Sequence, residues 1–178
     1  VALRQTKFSQ YFALYPAGQD SDILADAMIS RIRLDKRAKK MEVTLQLSAL
    51  TERVRLDKVA AQISALYGIE KVWINPCFPP DSFTEDFWEE VKNEVKRQNP
   101  AANGFLEGST VKRADNRLAV KLIHGGDTFL YQAGCDKTID SVLFQWFGIN
   151  TDVSFVLCEK AEAERAERQR RKTAAPPD

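Results

Sequence analysis

The sequence predicts an α+β fold built from two small α-β-β-α-β modules in series, followed by a charged helix. Three observations carry that prediction. Apolar residues alternate with polar ones in short runs over 28–35, 41–47 and 110–123, the signature of half-buried strands. Apolar stripes at helical spacing lie before and after each pair of runs. The order of elements read before Pro76 is then repeated after it.

The first element is a short helix in which Phe8, Tyr11, Phe12 and Tyr15 recur at helical spacing until Pro16 and Gly18 stop it. Ile32 and Leu34 alternate with Arg31 and Arg33 from Met28 to Asp35, and Met41, Val43, Leu45 and Leu47 alternate with Glu42, Thr44 and Gln46. The five-residue polar link Lys36-Arg-Ala-Lys-Lys40 makes an antiparallel hairpin the economical connection. Leu56, Val59, Ala60, Ile63 and Leu66 or Tyr67 form the next helical stripe, Gly68 sits where a left-handed C-cap belongs, and Val72 with Ile74 marks a strand. Pro76, Pro79 and Pro80 then read as an interruption, because proline continues neither a central strand nor a helix. Ser82-x-x-Glu85 matches a capping box for a helix whose Phe87, Trp88, Val91 and Val95 share a face and which stops before Pro100. The stretch Thr110 to Ile123 reads as a hairpin turning at Ala114-Asp-Asn116. Asp127 caps a helix that Gly134 interrupts, a second helical run ends at Gly148, and Val153, Phe155 and Leu157 close the pattern as a strand. The expected organisation is a first module at 1–77, a Pro-rich connection at 78–83, a second module at 84–158, and a charged helix and linker at 159–178. The linker, Ala174-Ala-Pro-Pro-Asp178, suggests a fragment of something longer.

Composition limits the function. With 44% hydrophobic and 29% charged residues and a net charge of +1, the chain has the make-up of a globular protein. No window approaches the roughly 18 apolar residues of a membrane helix, and residues 1–7 lack a signal-peptide core, so no membrane partner is expected. Three cysteines, Cys77, Cys135 and Cys158, without a C-x-x-C spacing fit reduced thiols and point to the cytoplasm. One histidine, His124, excludes a multi-histidine zinc site, and its setting of strand end and Gly-Gly turn does not read as part of a catalytic triad. The glycines form neither a Walker loop nor a dinucleotide fingerprint, so no catalytic residue, metal site, cofactor or small-molecule substrate is expected in this segment.

Two groups of residues remain as candidates. Between Arg31 and Lys58 nine basic residues face four acidic ones, against +1 for the whole chain. Arg31 and Arg33 on the solvent face, with Lys36, Arg37, Lys39 and Lys40 in the hairpin loop, have the charge to neutralise phosphates; the competing reading is a solvated turn protecting a sheet edge. The α-β-β-α-β order is KH-like, but the G-x-x-G loop with which a KH module grips nucleic acid is nowhere in the sequence. Trp73 alternates away from Val72 and Ile74, and with Phe78 and Phe83 it forms an aromatic candidate for anchoring a protein partner, against the competing reading of packing between two modules.

The run from Ile29 to Leu47, the helix to Tyr67, Ile69-Glu-Lys-Val-Trp-Ile74, Thr84-Glu-Asp-Phe-Trp88, Asn116-Arg-Leu-Ala-Val-Lys-Leu122 and Phe147-Gly-Ile together resemble the N-terminal region, domains N-I and N-II, of the PolC-type DNA polymerase III alpha subunit of low-GC Gram-positive bacteria. The resemblance implies two KH-like or pseudo-KH modules, similar to the polymerase-binding domain of the clamp-loader tau subunit. It implies a non-catalytic part in replisome assembly within a parent protein that carries out DNA-directed DNA synthesis with 3′–5′ proofreading. The implied partners are other replisome proteins, among them the tau subunit or other polymerase domains, with DNA contact as the alternative. The divalent metals of such a parent would be held by domains beyond residue 178. The stretch from Cys77 to Phe83 departs from the family's pattern as an insertion.

Overall fold

The computed structural model describes residues 5–173. They divide into two units, a first running to Phe83 and including Gln145–Gly148, and a second formed by Thr84–Phe144 and the chain from Ile149 onward. The elements of the first are β1 (Thr6–Lys7), α1 (Phe8–Tyr11), α2 (Ser21–Leu24), β2 (Met28–Asp35), β3 (Lys40–Gln46), α3 (Arg53–Tyr67) and β4 (Lys71–Cys77). Then come α4 (Trp88–Gln98), β5 (Thr110–Ala114), β6 (Arg117–Leu122), α5 (Asp127–Gln132), α6 (Cys135–Phe147), β7 (Asp152–Leu157) and α7 (Glu159–Thr173). The α+β class and the repeated α-β-β-α-β order are both present. The five residues of the expected linker, 174–178, lie outside the described residues.

In the first unit the strands lie in the order β1-β2-β3-β4, with β2 and β3 antiparallel and β3 and β4 parallel. A parallel pair needs a crossover, and α3 supplies it. Its Leu56, Val59, Ala60 and Ile63 are buried, as are the inward residues Ile29, Met41, Val43, Leu45, Val72 and Ile74 of the strands. Gly68 ends α3 at φ 64°, and its backbone N–H donates to the Ser64 carbonyl. The N-terminal aromatics close the same core: Phe8, Phe12 and Tyr15 are buried, and Phe12 meets Tyr67 edge-on at 5.5 Å. The Tyr15 hydroxyl donates to Asp20 at 2.8 Å, and burial together with that carboxylate pushes the phenol far above its ordinary range.

The second unit repeats the plan with three strands, β5-β6-β7, antiparallel and then parallel. Both sheets are therefore mixed, because in each the last strand returns through a helical crossover to pair in parallel with the strand before that crossover. Val111, Leu118, Val120, Leu122, Val153 and Phe155 of its strands are buried, as are Trp88, Val91 and Val95 of α4 and Ile139, Val142 and Leu143 of α6.

Three local expectations need correction. Pro76 does not interrupt the chain; it lies inside β4 opposite Leu45, and this is tolerated because β4 is an edge strand. The capping box does not form: the Ser82 hydroxyl donates to the Pro79 carbonyl at 2.6 Å, within a 3₁₀ turn over Pro80–Ser82, and α4 starts later, after a second such turn at Glu85–Phe87. The hairpin strand β2 is not in simple alternation, because its register shifts between Ile29 and Arg31, leaving Ser30 as a bulge.

The break between α5 and α6 at Gly134, φ 70°, frees backbone acceptors that a continuous helix would use. Asn99, at the end of α4, takes one: its Nδ2 donates to the Ala133 carbonyl at 3.0 Å and to the Thr138 hydroxyl at 3.2 Å, while its Oδ1 accepts from the Ala101 backbone at 3.2 Å. We expect Asn99→Leu, which cannot satisfy these half-buried groups, to lower the unfolding free energy by about 1–3 kcal/mol in urea melts. An unchanged midpoint would show that water replaces the amide.

Candidate functional site

Each crossover covers one face of its sheet, and in the first unit the other face carries the sequence-derived candidates. The register sets them in rows: Arg31 beside Thr44 and Asn75, Arg33 beside Glu42 and Trp73, and Gln46 beside Cys77. Arg31 and Arg33 are exposed, with Arg33 4.0 Å from Glu42. At that distance and exposure the pair leaves most of the arginine charge available. A cleft of about 290 Å³ opens on this face, lined by Arg31, Arg33, Glu42, Asn75 and Cys77 and closed by Trp146. The Cys77 thiol donates toward the Gln145 carbonyl at 3.5 Å, and burial pushes its pKa up, which keeps it protonated and a poor nucleophile at neutral pH.

The hairpin loop is a structured turn. Asp35 Oδ1 accepts from the backbone N–H groups of Arg37 and Ala38, both at 3.0 Å, and Lys39 adopts a left-handed φ of 47° with its carbonyl receiving the N–H groups of Glu70 and Lys71. Lys36, Arg37, Lys39 and Lys40 are all exposed around it. The loop thus presents four cations on a backbone fixed by Asp35, and Arg31 and Arg33 continue the charge along β2.

Trp73 lies on this open face, half-buried, as its alternation predicts. Its indole N–H donates to Asn75 at 2.9 Å, and the guanidinium of Arg53 sits 4.4 Å above its ring. Arg53 starts α3 and also donates to the Ile74 carbonyl at 2.8 Å, so one side chain occupies a carbonyl on the β4 edge and covers Trp73. Phe78 and Phe83 do not join Trp73 at the surface. Both are buried within the first unit, where Phe78 packs on Trp146 at 6.1 Å and Phe147 at 5.4 Å, and Phe83 meets Phe147 at 5.3 Å. The Pro-rich stretch folds back because these two aromatics have more apolar area to bury than its backbone has strands to pair with.

Sequence reasoning missed Asn75, Cys77 and Trp146. The first two share the parity of Trp73 along β4, a signal hidden by reading Pro76 as a break. Trp146, almost seventy residues away in α6, left no local trace. His124 is exposed in the turn after β6, and no group of three or more His, Cys, Asp or Glu side chains among the described residues is arranged to hold a metal ion.

Two α-β-β-α-β units, each a small mixed sheet with one face covered by helix, define a small α+β architecture. More particularly, the chain matches the family of the DNA polymerase III polC-type N-terminus II over residues 86–175, just over half of its length, and it belongs to that family. It is an N-terminal region of a polC-type DNA polymerase III. The matched segment begins in the turn before α4 and takes in nearly all of the second unit and α7. No curated protein matches the chain.

Arg53→Ala is expected to cost about 1–2 kcal/mol in denaturant melts, from the lost carbonyl bond and the ring contact. It should also raise acrylamide quenching of tryptophan fluorescence, since Trp88 and Trp146 are buried and Trp73 is the indole uncovered. Unchanged quenching would show that Arg53 does not cover the ring.

Proposed function

We propose that this region is a non-catalytic assembly module of a bacterial replicative DNA polymerase, working in the cytoplasm through protein–protein contacts while the parent chain carries out template-directed synthesis with proofreading. The first unit, which precedes the matched segment, is read as the companion module N-I. The observation that supports this most is the open sheet face, where Arg31, Arg33 and Asn75 line a cleft and Trp73, covered by Arg53, lies beside Glu42 of its lining. Such a face pairs an aromatic with arginines, the residue types that dominate protein interfaces. We name the other replisome proteins, the clamp-loader tau subunit and other polymerase domains among them, as the partners.

The test is retention of purified replisome proteins, each in turn, on the immobilised 178-residue chain. At least one should be retained, and Arg31→Glu with Trp73→Ala should weaken that retention tenfold or more, the size of effect that loss of an interface centre produces. Retention of none, by a chain shown to be folded, would contradict the proposal.

A second reading rests on the hairpin, whose four loop cations and two strand arginines are exposed on a fixed turn. Here the module touches DNA directly. It requires binding of duplex DNA that weakens steeply with salt and is abolished when Lys36, Arg37, Lys39 and Lys40 are all changed to Glu. Affinity indifferent to that charge reversal would remove it.

A further inference from the structure

The second unit carries a cleft that none of the candidates above touches. It encloses about 700 Å³ between the Gly125-Gly126 turn and α7, within the ~300–1,000 Å³ range of sites that hold small organic ligands. One wall is cationic. Arg165, Arg168 and Lys172 follow one another at steps of three and four along α7, which stacks them on one helix face at about one cation per 5.4 Å turn. Arg165 is held by Asp127 across the cleft at 3.1 Å, whereas no ion pair engages Arg168 or Lys172 among the described residues. Arg171 also lines the cleft and Glu164 is the remaining carboxylate, so positive charge prevails.

The opposite wall is aromatic. Phe129 is 44% exposed and is backed by Phe105, with ring centroids 4.9 Å apart and planes at 34°. Phe105 lies against Gly126, whose φ of 87° and lack of a side chain are both needed there, because a Cβ would collide with the ring. The exposed face of Phe129 is therefore a braced platform rather than a loose side chain, and exposed His124 stands at the end of the same turn.

An aromatic platform opposite a row of cations is the arrangement that takes a base on one side and its phosphates on the other. An acidic peptide would use the cations and leave the ring unused. We propose that this cleft binds single-stranded nucleic acid, with a base stacked on Phe129 and the flanking phosphates on Arg168 and Lys172. The site is separate from the basic hairpin and goes beyond the assembly role.

The test is fluorescence anisotropy of labelled oligo-dT titrated with the 178-residue chain at two or more salt concentrations. Affinity should fall with salt, and Phe129→Ala should weaken it on the order of tenfold while Phe129→Tyr, which keeps the ring, restores it. Arg168→Glu with Lys172→Glu should abolish binding at moderate salt, and replacing both by Gln should flatten the logarithmic salt slope by about 1.4. Reversal of the four hairpin cations should leave the affinity unchanged. The proposal is overturned by absence of binding at low salt, by binding indifferent to the cleft variants, by loss only in the hairpin variant, or by poly-glutamate displacing the oligonucleotide from wild type and Phe129→Ala equally.

Discussion

The constraint on which the rest depends is the parallel pairing of each sheet's last strand with its central one. β3 and β4, like β6 and β7, run in the same direction, so the chain must cross from one end of the sheet to the other between them. The crossover is helical, and its apolar stripe is buried against one face. Core formation thus dictates which side chains remain available. Arg31, Arg33, Trp73, Asn75 and Cys77 share the first unit's open face because their strand parity is opposite to that of Val43, Leu45, Val72 and Ile74.

That division also explains the sheet's edges. β4 ends the first sheet, and an edge strand with free carbonyls and an aromatic surface invites unwanted strand addition. Pro76 withholds an N–H on that strand, and Arg53 occupies the Ile74 carbonyl. The same guanidinium covers Trp73. One arginine at the start of α3 therefore links helix, edge and surface aromatic.

Much of this was legible in the sequence where the determining physics is local. Alternation located β2, β3, β6 and β7, and Gly68, Gly134 and Gly148, all with positive φ, marked helix ends and the broken helix. Long-range features were not legible. The Ser30 bulge adds one residue that only pairing with β3 reveals, and Pro76 is acceptable only because no strand lies beyond β4. Ser82 and Glu85 fit a capping box by spacing, yet the Ser82 hydroxyl prefers a carbonyl three residues back. Phe78 and Phe83 looked like a surface pair beside Trp73, but their partners Trp146 and Phe147 come from far along the chain. Of the candidate site, the cations and Trp73 were identifiable from charge and parity. The cleft against α7 was not, since α7 reads as a uniformly polar helix until the turn after β6 is placed beside it.

Recognition in this molecule is assigned to two surfaces, the sheet face that α3 leaves open in the first unit and the cleft between the Gly125-Gly126 turn and α7 in the second. Hydroxyl-radical footprinting of the chain, alone and with each replisome protein or oligonucleotide it binds, tests this directly, because oxidation reports side-chain access residue by residue. Protection is expected at Trp73 and Cys77, or at Phe129 when single-stranded DNA is the ligand. Protection confined to exposed apolar residues on the first unit's helical side, such as Leu14, Val54 and Leu66, with Trp73, Cys77 and Phe129 unchanged, would contradict this assignment.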